Sequence, residues 1–507
     1  MRTIDFPEAH DPIVLAIDIG SSSVRALLYD ADGDQISSSE SQHPYSQHIT
    51  DDGGSESDAS RIFALVVRCV DEVVDRANQR NATIAGVAMT SYWHGLLGLD
   101  GDGIPATPVY MWSDKRSGPE ATRLAAGLDP VEVHQRTGCR LHSSYWPAKL
   151  RWLEARDVDV YSSIQSWVSI TDYVHLRLFG SLVTSVSMAS GTGLLNAATL
   201  TWDGALIAHL GLPAGALPPL VDRDQANRGL EPEFAARWPA LADVQWFPAI
   251  GDGAAANVGA GCVGDAAIAM TIGTSAAMRL IVPHEVGQPA GEIPHRIWSY
   301  RLDRCYRVLG GALSNGGNVT AWLAQQVLGQ GFDFLTAAAA ALGPDDHGLT
   351  MLPFVAGERS PSWNDAATGA ILGLRLATTP GDIFRAGLEA TAYRMAAIYD
   401  DVKVLASPEH EIHANGGAAL SSPLWLQIIA DTLGHRLDAV DAEAEASARG
   451  AALCALESLG AIEDLATIRS GISASYEPDQ GSHQRYAVAR QRQRNFEEAV
   501  TSLQSHT

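Results

Sequence analysis

An aspartate between two glycines, Gly251-Asp252-Gly253, heads an alanine-rich run, and a little further on an apolar stretch is broken by Gly273-Thr274-Ser275. Both arrangements suit phosphoryl transfer. A carboxylate flanked by residues without side chains is unhindered and can take a proton from a substrate hydroxyl. A turn of Gly, Thr and Ser offers backbone N–H groups and hydroxyls, the donors that grip phosphate oxygens. Each has a plainer alternative. Asp252 also stands where the cap of a helix starting near Ala254 would stand. Gly-Thr-Ser also makes an ordinary hairpin turn between residues 270–272 and 278–282.

An echo near the N-terminus favours the chemical reading. Residues 14–29 read VLAIDIGSSSVRALLY: a strand, an acid at Asp18, a Gly20-Ser21-Ser22-Ser23 turn and a second strand. Ile19-Gly20-Ser21-Ser22 matches Ile272-Gly273-Thr274-Ser275, and Arg25 and Arg279 follow at nearly equal distance. The turns lie 253 positions apart in a chain of 507. That spacing predicts two similar domains, each giving one phosphate-gripping turn to a shared cleft.

These residues resemble the FGGY carbohydrate kinases, of the superfamily that also holds actin and the ATP-driven heat-shock chaperones. The resemblance implies an α/β fold of two actin-like/ribonuclease H-like ATPase domains with an interdomain cleft. The first domain, 1–251, would carry the sugar side and the first phosphate turn. The second, 252–507, would carry the second phosphate turn and an adenosine motif. Asp252 matches the family's catalytic base, and Asp18 would position Mg²⁺ through water, with Asp252 as a second acid near the metal. Gly20, Ser21, Ser22, Ser23, Gly273, Thr274 and Ser275 would hold the phosphates of ATP.

Composition agrees with this reading by what it excludes. Net charge is −24, so a long nucleic-acid contact, which needs clustered Lys and Arg, is not expected. The chain has three lysines, Lys115, Lys149 and Lys403, and none follows a Gly-x-x-x-x-Gly pattern. The lysine-bearing phosphate loop of other nucleotide enzymes is therefore missing, and backbone, hydroxyls and Mg²⁺ must do its work. Five scattered cysteines without metal-ligand spacing suit a reduced cytoplasm. The N-terminus has no apolar signal core, and no apolar run approaches the ~20 residues that span a membrane. A homodimer is compatible with the resemblance.

The elements that must position these residues follow in order. After the first hairpin, residues 61–80 place Phe63, Val66, Val67, Val70, Val74 and Ala77 on one helical face. Residues 84–89 read as a buried strand running into Trp93-His94, a place where polar and aromatic residues line clefts. Core packing is the alternative for that pair. In the family this segment lies on the sugar, and the Trp-His pair looks like the gluconate-type branch. Asp114, in a Trp-x-Asp-x-Arg segment, would bond sugar hydroxyls by resemblance; capping the next helix is its alternative. Residues 136–150, with Ser144 and Tyr145 as candidate sugar contacts, again resemble gluconokinase-like members.

In the second half, Gly310-Gly311 leads to Gly316-Gly317 and a helix near Asn318. The family lays this helix start against the nucleotide, so Gly317 and Thr320 are expected there. Glu358-Arg359 sits in a segment similar to the family's Gly-Glu-Arg-x-Pro-x-Trp signature, and both are candidate substrate contacts. The Ala-Arg-Gly that follows in the family reads Ala367-Thr368-Gly369 here. An exposed salt bridge is the commoner fate of an arginine such as Arg359. Gly416-Gly417-Ala418, with Ser421 and the Ser-Pro-Leu-Trp-x-Gln that follows, resembles the adenosine motif.

The expectation is thus an ATP- and Mg²⁺-dependent kinase of a sugar or sugar acid, with D-gluconate as the substrate and 6-phospho-D-gluconate as the product. Arg359, Arg140 and Lys149 are the cations that could meet a gluconate carboxylate. Xylulokinase or another polyol or ketose kinase of the same family is the near alternative. An ATP-gated actin- or chaperone-like binding module is the alternative from a different class.

Overall fold

The opening hairpin forms because residues 13–19 and 23–29 are apolar with high strand propensity, and Gly20-Ser21-Ser22 lets the chain reverse between them. Strands Ile13–Ile19 and Ser23–Tyr29 pair antiparallel, with Asp18 opposite Arg25. The computed structural model describes residues 3–287, 291–440 and 446–504. They group into two units. The first holds Met1–Val263, Ile281–Val308 and Glu443–Arg469; the second holds Gly264–Leu280, Leu309–Ala442 and Ser470–Thr507.

In the first unit, strand Ile84–Ser91 lies parallel to Ile13–Ile19, with Asp18 opposite Thr90. Strand Ile250–Gly251 lies parallel on the other side of it, with Ile250 also opposite Thr90. Three parallel strands therefore end at one edge of the sheet. Each is followed there by an expected site segment: the Gly20 turn, Trp93-His94 and Asp252. Hydroxyls lock the strand ends together. Ser91 Oγ donates to the Ile19 carbonyl and Thr90 Oγ1 to the Ile250 carbonyl, each at 2.9 Å.

The helix expected at 61–80 spans Ala59–Gln79, capped by the Asp58 carboxylate on the Arg61 N–H. Val67 is only half-buried, and Ile62, Cys69 and Val73 complete the buried face. The helix expected near Ala254 spans Asp252–Gly259 with Gly251 as its cap, so Asp252 is its first residue and not the cap. It packs on helix Ala446–Ser458 through small residues. A β-carbon on Gly450 would come within 1.8 Å of the Ala255 carbonyl oxygen, and one on Gly259 within 2.0 Å of the Ala446 oxygen.

In the second unit, strand Gly264–Ile272 pairs parallel with Glu411–Asn415, which pairs parallel with Leu437–Val440. Strand Ile472–Tyr476 closes that side antiparallel. Helix Pro380–Val402 opens with a Thr379–Asp382 capping box. This helix is buried on most of its surface, including Arg385, Glu389 and Arg394. Those charges are paired: Arg385 with Glu389 at 2.7 Å and Arg394 with Glu358 at 2.6 Å.

Candidate active site

The first turn spends its carbonyls internally. The Gly20 carbonyl accepts from the Tyr45 hydroxyl at 2.5 Å and the Ser21 carbonyl from the Gln47 amide at 2.8 Å. The Ser22 carbonyl accepts from the Tyr45 N–H at 2.9 Å and the Ser23 carbonyl from the Gly20 N–H at 3.0 Å. With its acceptors held inward, the turn presents donors, which is the polarity an anion needs. Ser22 is exposed, Gly20 and Ser21 half-buried and Ser23 buried.

Two acids bracket a pair of tyrosines beside this turn. Asp18 is 8% exposed at the end of its strand. Burial pushes the Tyr45 phenol well above its ordinary range, and the Asp18 charge adds to the rise. Burial likewise raises Tyr92, helped by Tyr45 and then by the Asp252 carboxylate. Asp18, Tyr45, Tyr92 and Asp252 thus form one electrostatic group. Asp252 is half-buried, and its Oδ1 accepts the Gly253 N–H at 2.7 Å. Hard carboxylate oxygens at one sheet edge are a donor set that fits Mg²⁺.

Next to Asp252 is an aromatic box. Trp93 is buried; its Nε1 donates to the Ser187 carbonyl at 2.9 Å, while Ser187 Oγ accepts the Gly251 N–H at 3.1 Å. His94 takes a left-handed backbone, φ 71°, and its Nδ1 lies 2.5 Å from the Gly191 carbonyl oxygen. Its ring centroid is 5.0 Å from Tyr145 and 5.6 Å from Tyr300. The Tyr145 and Tyr300 hydroxyls are 2.6 Å apart. Tyr300 stacks on Trp298 with centroids 4.2 Å apart, and its edge meets Trp93 at 4.8 Å. Ser144 is buried beside this, its Oγ 3.2 Å from His142 Nδ1.

Sequence reading did not single out Trp298, Tyr300, Ser187, Tyr45 or Tyr92. The signal for Tyr300 was its alternation with Trp298 on a short strand, Trp298–Arg301. Folding returns that strand to the first unit. Gly138, at φ 69°, exchanges backbone contact with Ser299, whose N–H donates to the Gly138 carbonyl at 2.9 Å.

The second unit brings three expected nucleotide segments into contact. The Gly273 carbonyl accepts the Gly317 N–H at 2.8 Å and the Thr274 carbonyl the Asn318 N–H at 3.1 Å. The Gly273 N–H closes the turn on the Ser275 carbonyl at 2.9 Å. Here too carbonyls are spent inward, with Thr274 exposed. A β-carbon on Gly317 would lie 2.6 Å from the Gly273 oxygen and 2.7 Å from Ala418 Cβ. Gly416, at φ 94°, packs on Ile272, whose oxygen a β-carbon would approach to 2.5 Å. Gly417 has nothing within 4 Å of such a β-carbon. Thr320 Oγ1 donates to the Gly317 carbonyl at 2.8 Å and Ser421 Oγ to the Ala418 carbonyl at 3.1 Å.

Other expected contacts have structural partners. Asp114 is buried, accepting from Arg116 Nη2 at 2.6 Å and from the Ser55 N–H at 3.1 Å. Glu358 is bound by Arg394 through both oxygens, at 2.7 and 2.6 Å. Burial pushes the Glu358 carboxyl upward while Arg394 pulls it down. Arg359 is half-buried. Lys149 is 1% exposed, and its ammonium donates to the carbonyls of His94, Tyr110 and Met111. All three of its N–H groups are used, so it is removed from the cations that could meet a substrate carboxylate.

Comparison with known proteins agrees with this geometry. The profile of the FGGY family of carbohydrate kinases, N-terminal domain, matches residues 13–259, and that of the C-terminal domain matches residues 268–459. The chain belongs to the FGGY family of carbohydrate kinases, with its two-domain actin-like fold, and is an ATP-dependent carbohydrate kinase. A gluconokinase of Bacillus subtilis is 27% identical over 475 residues, covering 91% of each chain. A gluconate kinase of Lactobacillus acidophilus superposes with a TM-score of 0.87 at 25% identity, covering 96% of this chain and 98% of that one. A ligand-bound xylulose kinase of the same organism gives the same figures. Kinases matched across both halves place the chain with enzymes and not with the actin- or chaperone-like binding modules.

Proposed function

We propose that this kinase phosphorylates D-gluconate to 6-phospho-D-gluconate, using ATP and Mg²⁺. The observation that carries the reading is the box of Trp93, His94, Tyr145 and Tyr300 packed directly on the residue before Asp252. Trp93-His94 and the 139–149 segment resemble the gluconate-type branch, and the similarity to the Bacillus subtilis gluconokinase supports it.

Asp252 takes the proton from the attacking hydroxyl, and the box orients the sugar chain so that one hydroxyl faces that carboxylate. Asp18 and Asp252 would hold Mg²⁺ through water. When bound, the ion neutralises charge on the transferring phosphoryl group. The donors of the Gly20–Ser23 and Gly273–Ser275 turns grip phosphate oxygens, and the open surface at Gly417 takes the adenine. Arg140 is the cation for the carboxylate: burial lowers its pKa, and the nearby Tyr145 acts in the opposite sense. Arg140 also donates to the His295 carbonyl at 2.9 Å, which anchors it beside the box. The cytoplasm is the compartment in this reading. The five cysteines are all free thiols, and among the described residues no helix is long and apolar enough to cross a membrane.

A second reading, a xylulose kinase, is favoured by the equal superposition on the Lactobacillus structures. A coupled assay over aldonates, ketoses and polyols separates the two. Gluconate should exceed xylulose and glycerol at least tenfold in kcat/KM; a ketose ahead of gluconate ends the proposal.

A further inference from the structure

We propose that Lys149 is a positioning residue of the sugar site, a buried ammonium that holds His94 in its left-handed backbone by gripping the His94 carbonyl. The proposal rests on reading His94 as a sugar contact. Lys149 Nζ donates at 2.9 Å to His94, 3.3 Å to Tyr110 and 2.7 Å to Met111. Tyr110 is itself bridged to Leu96, two residues beyond His94, by a pair of backbone hydrogen bonds at 3.0 and 2.8 Å. The ammonium therefore ties His94 to the neighbouring 110–111 segment, which Leu96 already pairs with.

One helix does all of this. Helix Trp146–Arg156 is preceded by Tyr145, whose ring meets His94 edge-on at 5.0 Å. Trp146 Nε1 donates to the Gly95 carbonyl at 3.1 Å, and Lys149, three residues on and so on the same face, donates to the His94 carbonyl. Two successive carbonyls of the loop are thus fixed by one helical face.

Two features show that the grip has a purpose beyond filling space. A left-handed backbone is uncommon for a residue with a side chain, and His94 holds φ 71°. A buried charge is costly, and a methionine would fill much the same volume without one. Burial pulls the Lys149 pKa down to about 7, with the Asp114 carboxylate acting the other way, so an amine at this place is held at a cost. Without the ammonium the His94 backbone can relax to negative φ, and the imidazole leaves the Gly191 carbonyl and its place between Tyr145 and Tyr300.

The test is steady-state kinetics on whichever sugar the wild-type enzyme turns over best, with Lys149→Met, His94→Asn and the double variant. Lys149→Met should raise the sugar KM at least tenfold, leave the ATP KM within twofold and leave kcat within about threefold. The double variant should match His94→Asn within twofold, because both changes act through one side chain. If Lys149→Met does not fold, Lys149→Gln, which keeps two donors, should give a smaller rise of the same kind. An unchanged sugar KM in a folded Lys149 variant, or an additive double variant, overturns the proposal while leaving His94 in the site. An unchanged sugar KM in His94→Asn overturns the sugar-site reading itself, and this inference with it.

Discussion

The indole of Trp93 lies against the α-carbon of Gly251: a β-carbon there would come within 1.9 Å of Cε2. The indole also lies against Gly191, where a β-carbon would meet Cδ1 at 2.4 Å. Trp93 therefore packs closely on two glycines, one of them the cap of the Asp252 helix. The glycine before the acid is explained by this contact as well as by access to the carboxylate. Gly251→Ala should displace Trp93, lower kcat/KM for the sugar at least 100-fold and reduce stability by about 1–3 kcal/mol. Kinetics with a thermal melt check both; a variant with normal sugar kinetics would show that the indole can move without consequence.

Asp252 is the first residue of its helix and not the cap, so removing its charge leaves the helix start intact. Asp252→Asn should lower kcat by at least ~100-fold. Nucleotide affinity, measured by calorimetry, should change less than threefold. Near-normal turnover would reassign the base.

Gly317 and Gly417 separate packing from binding. Gly317→Ala puts a β-carbon 2.6 Å from the Gly273 oxygen and should both destabilise the protein and raise the ATP KM. Gly417→Ala meets no protein atom within 4 Å, so its melting temperature should stay within about 2 °C of wild type. Its ATP KM should still rise several-fold if the added methyl stands where adenine packs, as proposed. An unchanged ATP KM for Gly417→Ala places the adenine elsewhere.

Glu358 is committed to Arg394, which also pairs with Glu497. Glu358→Gln leaves that buried guanidinium short of one charge and should destabilise by roughly 3 kcal/mol. The sugar KM should change less than twofold. A large KM effect in a variant of normal stability would restore Glu358 as a substrate contact.

Asp172 gives a pH signature. It sits in the capping box of helix Ile170–Phe179, accepting the Ser169 N–H at 2.7 Å. Burial raises its carboxyl to about 7, against the opposing bonds from Ser169 and Thr184. In the window between the ordinary carboxylate range and about 7 the folded state binds more protons than the unfolded state. Its contribution to stability is therefore full at low pH and is lost as pH rises through that window. Relative to Asp172→Asn, the wild-type protein should lose stability from about pH 4 to 7 and level off above. Melts across pH that slope the opposite way would mean the carboxylate is stabilised by its partners.

Much of the candidate site was legible because it lies in short windows. A strand, a small-residue turn and a second strand can be read from alternation and turn chemistry alone, as at Asp18–Ser23 and Gly273–Ser275. In the second unit Gly317 and Gly416 pack on the Gly273 turn and its strand. Side-chain partners were not legible. Asp114, Glu358 and Lys149 are the residue types that bind sugars and carboxylates, yet Arg116, Arg394 and three carbonyls take them.

By itself, the sequence determined the family, the two strand–turn–strand hairpins and the acids at the strand ends, because each depends on residues adjacent along the chain. Tertiary structure alone decided that Trp298 and Tyr300 come back to the first unit to complete the box, and that Trp93 packs against both Gly191 and Gly251. The physical reason is range. Turn and strand preferences act over a few residues, whereas the partner of a buried ring or charge is whichever distant group packing brings within hydrogen-bond or van der Waals reach.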